Sequence, residues 1–199
     1  MTDPWGIEDA LFAAGAVLVA GVDEAGRGPL AGPVYAAAVI LPRGLVIDGL
    51  DDSKKLTPRA RDRLFERIRG AAVSCGIASA SVEEIETLNI LGATFLAMNR
   101  AVSQLSPPPD ISVIDGNRTE GIASRCVCAV GGDGRSESVA AASVLAKVSR
   151  DRYMEALAER YPQYGFEKHK GYGTAAHYAA IREFGPSPAH RMSFLRKMH

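Results

Sequence analysis

The chain has 199 residues, of which 47% are hydrophobic and 23% charged, the balance of a single globular domain with a core that needs no staples; wholesale disorder is excluded. Lys+Arg and Asp+Glu both number 23, so the net charge is +0. No apolar run approaches the roughly 20 residues of a membrane span, and Met1-Thr2-Asp3-Pro4-Trp5-Gly6 lacks the basic start and apolar middle of a signal peptide, so the expected location is the cytoplasm.

Residues 17–22 read as an apolar strand running into Asp23-Glu24 and the turn Gly26-Arg27-Gly28-Pro29; residues 33–41 read as a second strand, ended by Pro42-Arg43-Gly44. Thr57 followed by Pro58 is set to cap a helix over residues 59–69. Residues 71–80 form a third strand, and Ser81 to Glu84 has capping-box spacing. A further helix from about residue 91 to 104 carries Leu91, Phe95, Met98 and Val102 at helical spacing, a stripe assigned to core packing. Pro107-Pro108-Pro109 reads as a rigid connector. Residues 111–114 form a short buried strand ending in Asp115-Gly116-Asn117, and residues 126–130 another, ending in Gly131-Gly132-Asp133-Gly134. Residues 136–160 give the longest helical pattern, whose small stretch Ala140-Ala141-Ala142-Ser143 lets it lie close against a sheet; residues 174–184 form a last helix, stopped by Gly185-Pro186. Three strands followed by helices alternating with two more predict an α/β fold, a mixed sheet with helices on its faces. Cys75, Cys126 and Cys128 are odd in number and lie in strand-like stretches, so they are expected as small buried residues, with neither a disulfide framework nor a zinc site.

The neutral total hides an asymmetry. Residues 147–199 hold 10 Lys/Arg and 5 Asp/Glu, while residues 1–146 hold 13 and 18. The basic third also contains His169, His177, His190 and His199 with Tyr161, Tyr164, Tyr172 and Tyr178. Cations interleaved with aromatics suit phosphates, sugars and bases, although the same charges also suit a solvated helical face.

Asp23, Glu24, Asp115 and Asp133 each follow a hydrophobic strand and lie by glycine-rich turns. Strand ends meeting at one sheet edge bring distant residues together. Four clustered carboxylates repel one another unless a cation sits among them, and an all-oxygen set suits Mg²⁺ or Mn²⁺ better than zinc. Singly, each acid has a dull reading, since Asp before Gly is common in turns; the set of four carries the argument. Gly26-Arg27-Gly28 offers backbone N–H groups and a guanidinium to a sugar-phosphate, Asp52-Ser53-Lys54-Lys55 offers a hydroxyl and two ammonium groups, and His169-Lys170-Gly171-Tyr172-Gly173-Thr174 points to an exposed, substrate-facing Tyr172.

Taken together, the block from Gly21 to Val34, with Asp52-Ser53-Lys54-Lys55-Leu56, Ile114-Asp115-Gly116-Asn117, Gly132-Asp133, the Ala140 to Val148 segment, His169 to Thr174 and Gly185 to Arg191, closely resembles the type 2 ribonucleases H, bacterial ribonuclease HII among them. The resemblance covers almost the whole chain. It implies an RNase H-like fold, a five-stranded mixed sheet flanked by helices, with residues 1–160 as catalytic core and 161–199 as a C-terminal helical substrate-binding extension of the same compact unit. It implies an endoribonuclease that cleaves the RNA strand of RNA–DNA hybrids and incises 5′ of single ribonucleotides in duplex DNA, in ribonucleotide excision repair and RNA primer removal. By the same resemblance Asp23, Glu24, Asp115 and Asp133 are the catalytic metal ligands for two Mn²⁺ or Mg²⁺ ions. Gly26, Arg27 and Gly28 resemble the element that senses the ribose 2′-OH, Tyr172 the residue that packs on the sugar, and Ser53 and Lys54 join them as substrate contacts. One departure is Gly131, where the family usually has Lys. The expected partners are hybrid and ribonucleotide-containing duplexes, with no membrane, no obligate protein partner and a monomeric state. The competing readings are a non-catalytic hybrid-binding module, which has no use for the acids, and a metal-dependent phosphatase on small molecules, which has no use for the basic-aromatic region.

Overall fold

The structure is a computed structural model that describes residues 3–50, 53 and 56–196; for Asp133 it describes the backbone alone. Lys54, expected to contact substrate, lies outside the described residues, as do Asp52, Lys55 and residues 197–199.

Five strands form one sheet in the order β3-β2-β1-β4-β5: β1 (Val19–Ala25), β2 (Val34–Ile40), β3 (Ser74–Ala80), β4 (Ile111–Asp115) and β5 (Cys126–Ala129). The first three pair antiparallel, whereas β4 runs parallel to β1 and β5 parallel to β4. The pleat sorts side chains onto two faces. Along β2, Ala37 and Val39 pack under Leu64, Phe65 and Ile68 of α2 (Pro58–Ala71) and Ala141, Ala142 and Leu145 of α4 (Glu137–Arg160). Val34, Ala36, Ala38 and Ile40 face the other way, onto Ala93, Ala97, Met98 and Ala101 of α3 (Val82–Ser103). The many alanines bring both helices close to the sheet. At Gly21 of β1 a Cβ would run into the Ser138–Val139 backbone, so glycine is what lets α4 cross directly over β1.

The caps behave as the sequence predicts. The Thr57 hydroxyl accepts from the Ala60 N–H with Pro58 at the start of α2, and Ser81 and Glu84 form a reciprocal capping box. Four details differ. First, β1 continues through Asp23 and Glu24 to Ala25, which pairs with Tyr35. Second, α2 runs on to Ala71, so β3 starts at Ser74. Third, α3 is one element kinked at Asn89 (φ 58°), whose Oδ1 accepts from the Leu91 and Gly92 N–H groups and recaps the second half. Its buried stripe is Ala93, Ala97, Met98 and Ala101, so of the expected stripe only Met98 is fully buried, and Leu91 and Phe95 rim a groove instead. Fourth, α1 (Gly6–Ala13) was not evident, because its N-cap, Trp5, makes no side-chain capping bond. Of the cysteines, Cys75 and Cys126 are half-buried but Cys128 is exposed, because β5 is an edge strand with one face open to solvent.

The C-terminal segment carries α5 (Phe166–His169), α6 (Ala175–Phe184) and α7 (Met192–Leu195). Tyr164, Phe166, Ile181 and Leu195 close a separate apolar cluster with Leu30, Ala31, Met154 and Leu157. This cluster joins the segment to the turn after β1 and to the second half of α4. Among the described residues, no helix is long and apolar enough to cross a membrane.

Candidate active site

Asp23 and Glu24 sit near the end of β1, and alternation sends them to opposite faces. Asp23 follows Val19 and Gly21 toward α4, and Glu24 follows Ala20 and Val22 toward α3. In the parallel ladder Val22 is paired with Ile114, so the next step sets Asp23 beside Asp115, the last residue of β4, on the α4 face. Three acids from two strands thus line one cleft of about 220 Å³, with the Gly26–Gly28 turn, Ser53, Ser143 and Tyr172 also on its wall. Pleat and register alone set Asp23 beside Asp115; Glu24, on the other face of β1, reaches the same cleft at the end of the strand.

The acids are poorly satisfied. Asp23 is 7% exposed, and burial pushes its carboxyl well above the usual range; the neighbouring charges of Glu24 and Asp115 push the same way. Two hydrogen bonds oppose them, from the Ser143 hydroxyl and from the Glu24 N–H to Oδ1 (2.7 Å). Ser143 in turn shares a hydrogen bond with buried Ser53 (Oγ–Oγ 2.9 Å). Glu24 is also raised, by burial first, with the Arg27 guanidinium at 3.2 Å pulling the other way. Asp115 Oδ1 accepts from the Gly132 N–H at 2.9 Å, which ties the short 3₁₀ turn Gly132–Gly134, and with it the backbone of Asp133, to the end of β4. Gly131, where the resemblance leads one to expect Lys, is exposed with φ 64°.

A divalent cation fits this chemistry, because it would neutralise carboxylates that the protein leaves repelling one another. Among the described residues no group of three or more His, Cys, Asp and Glu is arranged to hold an ion by itself. Mg²⁺ and Mn²⁺ do not require one, since such ions keep waters and use one or two carboxylates with substrate phosphate oxygens.

The opposite wall is built differently. Gly26 has φ 96° and a Cβ there would overlap the Arg150 side chain. Arg150 is fully buried and donates to Pro33 O (3.1 Å), Lys170 O (3.0 Å) and Ala31 O (3.1 Å). Arg191, equally buried, donates to Gly32 O (2.8 Å), Arg27 O (2.9 Å) and Gly26 O (2.7 Å). Tyr172 is 47% exposed, and a Cβ on Gly28 would stand 3.7 Å from its ring. Its loop is held by histidines. His177 Nδ1 bonds the Tyr172 carbonyl (2.9 Å), so that nitrogen carries the proton; His190 Nδ1 accepts from the Ser187 N–H (2.9 Å), so its proton is on Nε2 and points at His177 Nε2, 3.1 Å away. Burial and His177 push the His190 pKa down to about 4.

The basic third is therefore only partly a solvent-facing surface. Arg150, Arg191, His177 and His190 are interior, and sequence reasoning missed their role because charge counts do not report burial. In the groove of about 440 Å³ between α2 and α4, Lys147 and Arg61 face Asp151, and Lys170 faces Glu155, so much of the positive charge is spent internally. On the far side of Glu24 and Asp115, Leu91, Phe95, Asn117 and Arg118 border a groove of about 330 Å³.

A five-stranded mixed sheet with carboxylates on the abutting ends of β1 and β4 defines a hydrolase of the ribonuclease H type. Residues 20–197 match the family model for ribonuclease HII. A ribonuclease HII of Burkholderia lata is 59% identical over 177 residues, covering 89% of this chain and 83% of that protein. The solved ribonuclease H2 of Pyrococcus horikoshii OT3 superposes with a TM-score of 0.75 at 25% identity, over 92% of this chain and 97% of that one. Bst-RNase HIII, solved in complex with Mn²⁺, shares the fold with a TM-score of 0.68 at 21% identity, over 88% of this chain and 65% of that one. The chain belongs to the ribonuclease HII family.

Proposed function

We propose that this cleft hydrolyses the RNA strand of RNA–DNA hybrids and nicks duplex DNA on the 5′ side of a single embedded ribonucleotide, leaving a 5′-phosphate and a 3′-hydroxyl. The observation that carries the reading is the pairing of two unlike walls in one cleft: Asp23, Glu24 and Asp115 on one, and the Gly26–Gly28 turn with exposed Tyr172 on the other. Asp23, Glu24, Asp115 and Asp133 would hold Mn²⁺ or Mg²⁺, which when bound supplies an activated water and stabilises the leaving 3′ oxygen. The chain's own residues set position. Ser143 orients Asp23, with Ser53 behind it, and the Gly132 N–H orients Asp115. Arg27 keeps Glu24 in place and partly neutralised. The 2′-OH is the difference in the sugar that a ribonucleotide-selective site must contact, and backbone amides of the turn can do so without side-chain entropy cost. The Tyr172 ring beside Gly28 offers the flat apolar face that a sugar packs on.

The test uses a DNA duplex with one ribonucleotide and the matched all-DNA duplex, each with Mn²⁺. The expected product is a nick 5′ of the ribonucleotide in the first duplex alone. Binding without a nick would favour a non-catalytic hybrid-binding module. Hydrolysis of small phosphate esters without a nick would favour a phosphatase.

A further inference from the structure

The sugar-reading turn has a conformation that its own sequence does not enforce. Gly26 and Gly28 leave it free, yet three consecutive features fix it from outside. Arg150 packs against Gly26 where a Cβ would be. Arg191 Nη2 and Nη1 take the Gly26 and Arg27 carbonyls, and its Nε takes Gly32 O at the other end of the same loop. A trans peptide is planar, with the C=O of one residue and the N–H of the next pointing in opposite directions. Pinning the Gly26 carbonyl inward therefore turns the Arg27 N–H outward, and pinning the Arg27 carbonyl does the same for the Gly28 N–H. Neither amide has an acceptor among the described residues, and both residues line the cleft. A guanidinium suits the task because its planar fork can bond two successive carbonyls at once, which a lysine ammonium cannot match. Arg191 has no carboxylate bonded to it among the described residues; its bonds are to main-chain carbonyls, and its guanidinium stacks 5.2 Å from the Phe194 ring.

We propose that Arg191 is a positioning residue for ribose recognition, pinning two carbonyls inward so that the Arg27 and Gly28 amides are preset toward the 2′-oxygen. This rests on the reading of the turn as the ribose-sensing element. A residue in the C-terminal segment, outside the acid cluster, thereby sets the selectivity of a turn more than 160 positions earlier in the chain. The sequence alone offers Arg191 only as one more cation of a basic tail.

The experiment compares Arg191→Lys and Arg191→Met with the wild type, using the single-ribonucleotide and all-DNA duplexes. The expected result is a fall in kcat/KM on the ribonucleotide duplex of about 10- to 100-fold, carried mainly by kcat, as for a misplaced contact. Metal-free affinity for the all-DNA duplex should stay at the wild-type value, and the melting temperature of the Lys variant should stay within a few degrees. A folded Lys variant with wild-type kcat/KM overturns the proposal, and so does an equal loss of affinity for both duplexes, which would mark a general structural or charge role. Amide exchange in the wild-type protein decides the matter if neither variant folds. The Arg27 and Gly28 amides should exchange freely in the free protein and slow on adding the metal-free ribonucleotide duplex but not the all-DNA duplex. Amides already protected in the free protein overturn the proposal. Failure of the underlying reading looks different: the wild type itself would then cut both duplexes at equal rates.

Discussion

The two walls of the cleft are held by opposite physics. On the sheet side, Asp23 is buried and Glu24 half-buried, both carboxyl groups are raised by desolvation and by neighbouring acids, and among the described residues only the Ser143 hydroxyl and the Glu24 N–H oppose the rise at Asp23. On the turn side, buried Arg150, Arg191 and His177 spend hydrogen bonds on main-chain carbonyls, and the loops they hold have little freedom left. The contrast teaches where the fold stores instability and where it spends stability. In the proposed reading, the carboxylates that would take the cation are left in tension, while the turn that would read the sugar is over-determined before a substrate arrives.

The sharpest way to break this contrast is to remove one acid. Asp23→Asn should cut the nick rate with Mn²⁺ by about 10³-fold or more, since the strand-end charge that attracts the cation is gone. A folded Asp23→Asn protein with full activity would contradict the assignment of the acid wall. Next in size is the other wall. Arg150→Met leaves the Ala31, Pro33 and Lys170 carbonyls without their donor and should destabilise the protein by roughly 3 kcal/mol, read as a drop of about 10 °C in melting temperature. Tyr172→Ala removes the ring beside Gly28 and should lower kcat/KM on the single-ribonucleotide duplex by about 10-fold, whereas Tyr172→Phe, which keeps the ring, should change it less.

The smallest effect is on pH. An unfolded histidine titrates near 6.5 and folded His190 at about 4. Between those values the unfolded chain binds the extra proton, so stability rises with pH; it is complete above 6.5 and lost as pH falls toward 4. Thermal melts at pH 4.5 and 7 should differ by roughly 5 °C more in the wild type than in His190→Gln.

The acid wall was readable in the sequence for a simple reason. Charge at the end of an apolar strand is costly and therefore conspicuous, and period-2 alternation with parallel register decides which acids meet. The helix caps at Thr57 and Ser81 were readable because their chemistry is local. The turn-side scaffold was not. Arg150, Arg191, His177 and His190 look like solvent-facing members of a basic segment, and nothing local reveals that they are interior or that the two arginines bond carbonyls up to 165 positions away. The α3 stripe misled for a related reason: alanines at 93, 97 and 101 give the closest approach to the sheet, so the larger Leu91 and Phe95 are displaced to a groove rim. The kink at Asn89 shifts the helical phase between the two halves.

The account is tested most directly by melting the wild type and Asp23→Asn side by side, with and without Mn²⁺, at neutral pH. Without the ion, Asp23→Asn should melt several degrees higher, because one repelling charge is gone; with saturating Mn²⁺ the wild type should rise past it while the variant barely moves. A variant that gains as much from Mn²⁺ as the wild type would show that these carboxylates are not where the cation binds.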